Sequence, residues 1–314
     1  MEFESISIKS QQVVEVLQRS IVGQKEQLKF LWIGLLTGGH ILLEGVPGLG
    51  KTLMVRTLAK VVDCKSNRIQ FTPDLMPSDV IGTKVYDMHS GHFSFRKGPI
   101  FSHVLIADEI NRTPPKTQSA LLEAMEEGQI SIDGETHILE KPFFVVATQN
   151  PIEYEGTYSL PEAQLDRFAM KLLIDYPLEE EELFLYATHE LGVSRETMVQ
   201  ALISPEELLD MRGCINQVTI EKSVVQYVMQ IIRQTREHTQ VSLGASPRAG
   251  VTLLTLAKAH AAISGRSFVT PDDIKEVVKP ALRHRLFLHP DSELEGWNPD
   301  DVVEEVIQKT EVPR

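Results

Sequence analysis

Apolar residues recur along the chain at two spacings. Val13, Val14, Leu17 and Ile21 lie on one face of a helix, which Gly23 breaks. A second helix is predicted over 26–36 and stops at Gly38-Gly39. Short, unbroken apolar runs at 41–43, 69–71, 104–107 and 143–147 read as buried strands, with helical segments at 51–62 and 114–127 among them. Strands of this kind separated by helices indicate a parallel sheet covered on both faces.

Two stretches break that rhythm. Residues 130–132 and 136–138 flank Asp133-Gly134-Glu135, and Asp-Gly is a tight-turn signal. Residues 84–87 and 93–95 flank a turn at His89-Ser90-Gly91. Both read as β-hairpins inserted in an α/β core. The pattern changes near Tyr176-Pro177. Beyond it only helices are predicted, two of them opening on a cap, a proline and an acid: Ser204-Pro205-Glu206-Glu207 and Thr270-Pro271-Asp272-Asp273. The chain thus divides into an α/β domain, 1–177, and a smaller all-α domain, 178–314.

The 314 residues, 42% hydrophobic and 24% charged, exclude a disordered chain or a disulfide-stapled mini-protein. No apolar run approaches the roughly 18 residues of a membrane span. The formal charge of −13 weighs against a surface built to grip nucleic acid. Cys64 and Cys214 show no metal or redox spacing, and the start of the chain lacks a signal-peptide pattern, so the expected location is the cytoplasm.

The chemistry concentrates in a few loops. Gly45-Val46-Pro47-Gly48-Leu49-Gly50-Lys51-Thr52 fits G-x-x-x-x-G-K-T between a predicted strand and helix. Glycines there let backbone N–H groups close on phosphates, and the helix N-terminus adds positive potential. Lys51 is expected to reach the terminal phosphates of ATP and Thr52 to ligate Mg2+, with Leu53 completing the nucleotide-contacting set. Asp108-Glu109 ends the strand at 104–107; Asp108 suits the Mg2+ shell and Glu109 a general base for water. Asn150 follows the strand at 143–147. It would orient water beside Asp108 if the two strands are neighbours, or else serve as a turn residue before Pro151. Arg167 suits charge stabilisation in phosphoryl transfer or a surface pair with Asp166. Arg248 opens a helix, where a cation is unfavourable unless an anion lies near. His89 and His92 read as exposed turn residues, and Arg283-His284-Arg285 as a solvated helix face.

These motifs, in this order, resemble those of AAA+ ATPases, and specifically the MoxR family, over nearly the whole chain. The resemblance rests on Val22-Gly23-Gln24, the loop at 45–52, IADEINR at 106–112, QSALLEAMEEG at 118–128, ATQNP at 147–151, LPEAQLDRF at 160–168 and GASPRA at 244–249. It implies that 45–52 is the Walker A loop, that Asp108-Glu109 ends Walker B, and that Asn150 is the first sensor. It implies that Arg167 is a finger acting on a neighbouring subunit's ATP. Arg248 would be a second sensor on a helical lid, with ATP between lid and core, and Val22, Gly23 and Gln24 would pass the adenine. The hairpins match insertions shared with magnesium-chelatase motors and minichromosome-maintenance helicases. Family members form ring homo-oligomers, often hexameric, act as chaperone-like ATPases on client complexes, and commonly work with von Willebrand factor A domain proteins. A chelatase-type motor subunit and a nucleic-acid-dependent motor are the alternatives. Whether Arg112 also meets a neighbour's nucleotide is open.

Overall fold

The computed structural model describes residues 2–89, 91–132, 134–151, 157–190 and 199–313. Two predicted turn residues, Ser90 and Asp133, lie outside them. The chain opens with helices α1 (Phe3–Ser20) and α2 (Lys25–Thr37), and a left-handed Gly38 ends the second. Strand β1 (Ile41–Glu44), helix α3 (Lys51–Val61), strand β2 (Ser66–Gln70) and helix α4 (Pro77–Ile81) follow. A hairpin, β3 (Gly82–Asp87) and β4 (His92–Lys97), precedes strand β5 (Val104–Asp108) and helix α5 (Pro115–Glu127). A second hairpin, β6 (Gln129–Ile132) and β7 (Glu135–Ile138), precedes strand β8 (Phe144–Gln149). The short helix α6 (Glu162–Leu165) and strand β9 (Met170–Leu173) complete the α/β part.

Five strands form one parallel sheet in the order β2-β5-β8-β1-β9. Alternate side chains feed two cores. Ile41, Leu43, Ile106 and Val146 pack on one face, whereas Leu42, Leu105, Val145 and Ala147 pack on the other. The sequence pattern did not predict β9. Lys171 interrupts its apolar run; β9 is an edge strand, where lysine is tolerated, and Glu44 on the neighbouring strand pairs with it at 2.7 Å. Both inserted hairpins are present, each an antiparallel pair outside the main sheet. They hold each other: Lys84 pairs with Glu135 at 3.2 Å, and Phe95 stacks on His137 with ring centroids 4.3 Å apart.

Helices α7 (Glu179–Glu190), α8 (Pro205–Asn216), α9 (Lys222–Glu237), α10 (Pro247–Ile263), α11 (Pro271–Leu282), α12 (Pro290–Leu294) and α13 (Pro299–Lys309) make up the rest. Ser204 Oγ accepts from Glu207 N, and Thr270 and Asp273 form a reciprocal capping box. Two corrections apply here. The region is not purely helical: β10 (Val241–Leu243) pairs with β11 (Phe287–Leu288) across a wide gap in sequence, too short to register as a period. Nor is Arg283-His284-Arg285 a solvated face, for His284 and Arg285 are buried. Among the described residues, no helix is long and apolar enough to cross a membrane.

Candidate functional site

The loop after β1 wraps a cavity of about 450 Å³. Gly48 and Gly50 take φ of +88° and +76°, where L-residues are strained. At Gly45 a Cβ would overlap the Ile174 carbonyl oxygen, so the close fit of loop to sheet needs glycine there. Lys51 and Thr52 open α3. Lys51 Nζ donates to the carbonyl oxygens of its own loop, Gly45 and Val46. Pro47, Leu53, Arg56 and Arg68 share the lining.

The acids arrive from the next strands. Because β5 and β8 are neighbours, Asp108, Glu109, Thr148 and Asn150 all reach this cavity. Asp108, 5% exposed, is a hub. Its Oδ2 accepts from Thr52 Oγ1 at 3.1 Å and from Arg68 Nε at 2.5 Å, and its Oδ1 from Thr148 Oγ1 at 3.2 Å. A hydroxyl and a carboxylate converging on a phosphate cradle are the hard oxygen donors Mg2+ requires, so the residues present fit that ion. Glu109 takes a left-handed φ of 57°, a strained conformation typical of working sites. Thr148 Oγ1 accepts from its N–H at 2.9 Å, while its carboxylate accepts a hydrogen bond from Gln70 Nε2 at 2.6 Å and pairs with Arg112 Nε at 3.2 Å. Arg112 therefore faces Glu109 of its own chain.

Arg68 and Gln70 are not picked out by the sequence, whereas Thr148 belongs to the polar segment expected beside Asp108. Their signal was weak: Arg68 and Gln70 alternate with buried Ile69 on a strand whose neighbour, β5, only the folded sheet assigns.

Val22, Gly23 and Gln24 run beside the segment that follows β9. Gln24 Nε2 donates to Asp175 O at 2.6 Å, and the Glu181 carboxylate rests against Gly23. Asp175 follows Ile174, which packs on Gly45.

Arg167 and Arg248 lie elsewhere. They line a separate cavity of about 300 Å³ with Gly39 and His40, the residues before β1, whereas the P-loop follows β1. A four-residue strand puts about 13 Å between those ends. The two arginines share one carboxylate: Glu126 Oε2 meets Arg167 NH2 at 3.1 Å and Oε1 meets Arg248 NH1 at 3.1 Å. Arg167 thus pairs with Glu126 rather than with Asp166. Arg248, the residue expected to be the second sensor, lines this cavity with Arg167 and not the cavity of the P-loop. The Ser246 hydroxyl donates to Asp166 Oδ2 at 3.1 Å, and buried Arg285 donates to Asp166 Oδ1 at 2.7 Å, which ties the start of α10 to the loop between α6 and β9. Burial lowers the Arg285 pKa, and the Asp166 carboxylate opposes that shift.

Comparison with known proteins bears on the family and the fold. Residues 40–170 match the family model described as "ATPase family associated with various cellular activities (AAA)", and residues 233–306 match an AAA lid domain. YeaC of Bacillus subtilis is 46% identical over 300 residues, 96% of this chain and 93% of that protein. Chaperone MoxR1 of Mycobacterium tuberculosis is 42% identical over 95% of this chain and 81% of its own length. The crystal structure of a protein from Cytophaga hutchinsonii described as an ATPase superposes with a TM-score of 0.92 at 44% identity, covering 99% of this chain and 97% of that one. With both AAA models matched and a MoxR chaperone 42% identical over 95% of this chain, the chain belongs to the MoxR family of AAA+ ATPases.

Proposed function

We propose that this protein hydrolyses ATP at the seams of a homo-oligomeric ring, hexameric as in many relatives, and uses the cycle to remodel a client protein complex. The observation that carries the reading is the separation of Arg167 and Arg248 from the P-loop by the length of β1. One subunit supplies cradle and base, and the arginines on the far edge of the next complete the centre. Both arginines then act in trans.

The residues divide the work. The loop at 45–52 binds the triphosphate through backbone N–H groups, and Lys51 turns from its own loop carbonyls to the phosphates. Thr52 and Asp108 hold Mg2+, which when bound offsets the phosphate charge. Glu109 takes a proton from water, and Asn150 orients that water. Arg167 and Arg248 of the adjacent subunit stabilise charge on the transferring group, a role worth on the order of 10³-fold or more in rate. Val22, Gly23 and Gln24 flank the adenine. The division near residue 177 separates this machinery from the lid that carries Arg248.

For the client, the paired hairpins are the natural contact, with Tyr86, Met88 and Phe93 exposed on the first of them. The name of the Mycobacterium relative supports a chaperone-like role, and a von Willebrand factor A domain protein is the proposed helper in the cytoplasm.

Subunit mixing tests the proposal. Lys51→Ala subunits keep the arginine edge and lose the cradle; Arg167→Ala or Arg248→Ala subunits do the reverse. Each alone should be nearly inactive, and mixtures should regain turnover at mixed seams. Assembled mixtures that stay inactive at every ratio would refute action in trans.

A further inference from the structure

Glu126 lies outside the cavity of the P-loop, yet its placement is electrostatically peculiar. It lies in the last turn of α5, the negative end of that helix, where an acid is unfavourable. Arg248 lies one residue after Pro247 at the positive end of α10, where a cation is unfavourable. Each sits at the wrong end of its own helix, and each is compensated by the other.

Stability does not account for the arrangement. The Glu126 side chain is 36% exposed and that of Arg248 48%, and ion pairs this open contribute little to folding. Position does account for it. Arg167 sits on the core, Arg248 on the lid and Arg285 behind them, three guanidiniums lining one cavity. Arg285 has Asp166; without Glu126 the guanidiniums of Arg167 and Arg248 would lose the carboxylate that stands between their like charges. The two oxygens of Glu126 take one guanidinium each.

We propose that Glu126 is a positioning residue that yokes Arg167 to Arg248, so that core and lid present both arginines as one preorganised clamp to the neighbouring subunit's phosphates. Each guanidinium engages the carboxylate through a single nitrogen, which leaves other donors of its fork for phosphate oxygens. Preorganised donors need no rearrangement as charge develops, and that is where such groups gain their effect. The yoke also links lid to core, so a lid movement that draws Arg248 away draws on Arg167 as well. This inference rests on action in trans.

The test uses the assembled protein with Glu126→Gln, which keeps the shape, and Glu126→Ala. Both should melt with the parent protein and bind a fluorescent ATP analogue in their own cradle with unchanged affinity. Turnover at saturating ATP should fall about tenfold, less than the 10²–10³-fold typical when a transition-state donor is removed outright. Mixing Glu126→Ala with Lys51→Ala should restore turnover, because the defect lies on the edge that Lys51→Ala keeps. Parental turnover in Glu126→Ala would overturn the yoke, and faster turnover would show a carboxylate that restrains the arginines. Lost analogue binding would show that Glu126 acts through its own subunit's fold. The Arg167→Ala and Lys51→Ala mixture serves as control. If it stays inactive, action in trans fails; if it recovers while the Glu126→Ala mixture does not, the yoke alone fails.

Discussion

Asp166→Ala should destabilise the protein by about 3 kcal/mol. Arg285 has five N–H donors, and all five are used: Nε to Asp166 Oδ1 at 2.7 Å, NH1 to the carbonyls of Ala169 and Ala281 at 3.3 and 2.6 Å, and NH2 to the carbonyls of Asp166 and Phe168 at 3.1 and 2.8 Å. Its side chain is 3% exposed, and Asp166 is the acid paired with it among the described residues. Removing one partner of a buried pair costs about 3–5 kcal/mol, because the remaining charge is stranded. The Asp166 side chain is 23% exposed and the four carbonyl bonds survive, which places the cost near the lower limit. Asp166→Asn keeps an acceptor but not the charge and should cost less. Urea unfolding of the three proteins measures the order, and a double-mutant cycle with Arg285→Met should return a coupling above about 1 kcal/mol. A change under about 1 kcal/mol for Asp166→Ala would refute the reasoning, since it would mean that water solvates the guanidinium in place. Glu126→Gln, a few residues away in space but exposed, is the contrast: activity moves and stability does not.

Three further outcomes follow from the site and its surroundings. Glu109→Gln should bind ATP and slow turnover by about 10²–10⁴-fold, read by phosphate release, while near-parental rates would remove Glu109 as the base. Gly45→Ala should weaken nucleotide binding and lower the melting temperature, because its Cβ and the Ile174 carbonyl cannot share one place; a protein unchanged in both would show that the loop has room. Burial pushes His40 down to about 4, with its Nε2 donating to Met125 O and its Nδ1 accepting from Val145 N. The unfolded chain then takes up this proton first, so stability should fall as pH drops from about 6.5 towards 4, by about 1.4 kcal/mol per unit from this group. Unfolding free energies against pH should be flatter for His40→Gln by that slope, and parallel curves would exclude the assignment.

Local chemistry announces the cradle. Glycines with positive φ, a lysine and a threonine at a helix start, and two acids ending an apolar strand each follow from short-range rules, and so do the helix caps and both hairpins. Periodicity also carried the parallel sheet, apart from β9, whose Lys171 finds its place at the sheet edge beside Glu44. Strand order is another matter: Arg68 and Gln70 meet Asp108 and Glu109 because β2 pairs with β5, a fact of sheet assembly. The arginines depend on folding most of all. Arg248 is 122 residues from Glu126, and Arg285 is 119 from Asp166. A string of residues shows Arg283-His284-Arg285 as polar and Arg248 as a cation at a helix start. Which carboxylates they meet, and at which edge of the sheet, is settled by long-range packing, since an ion's partner is whatever charge the fold brings within a few ångströms.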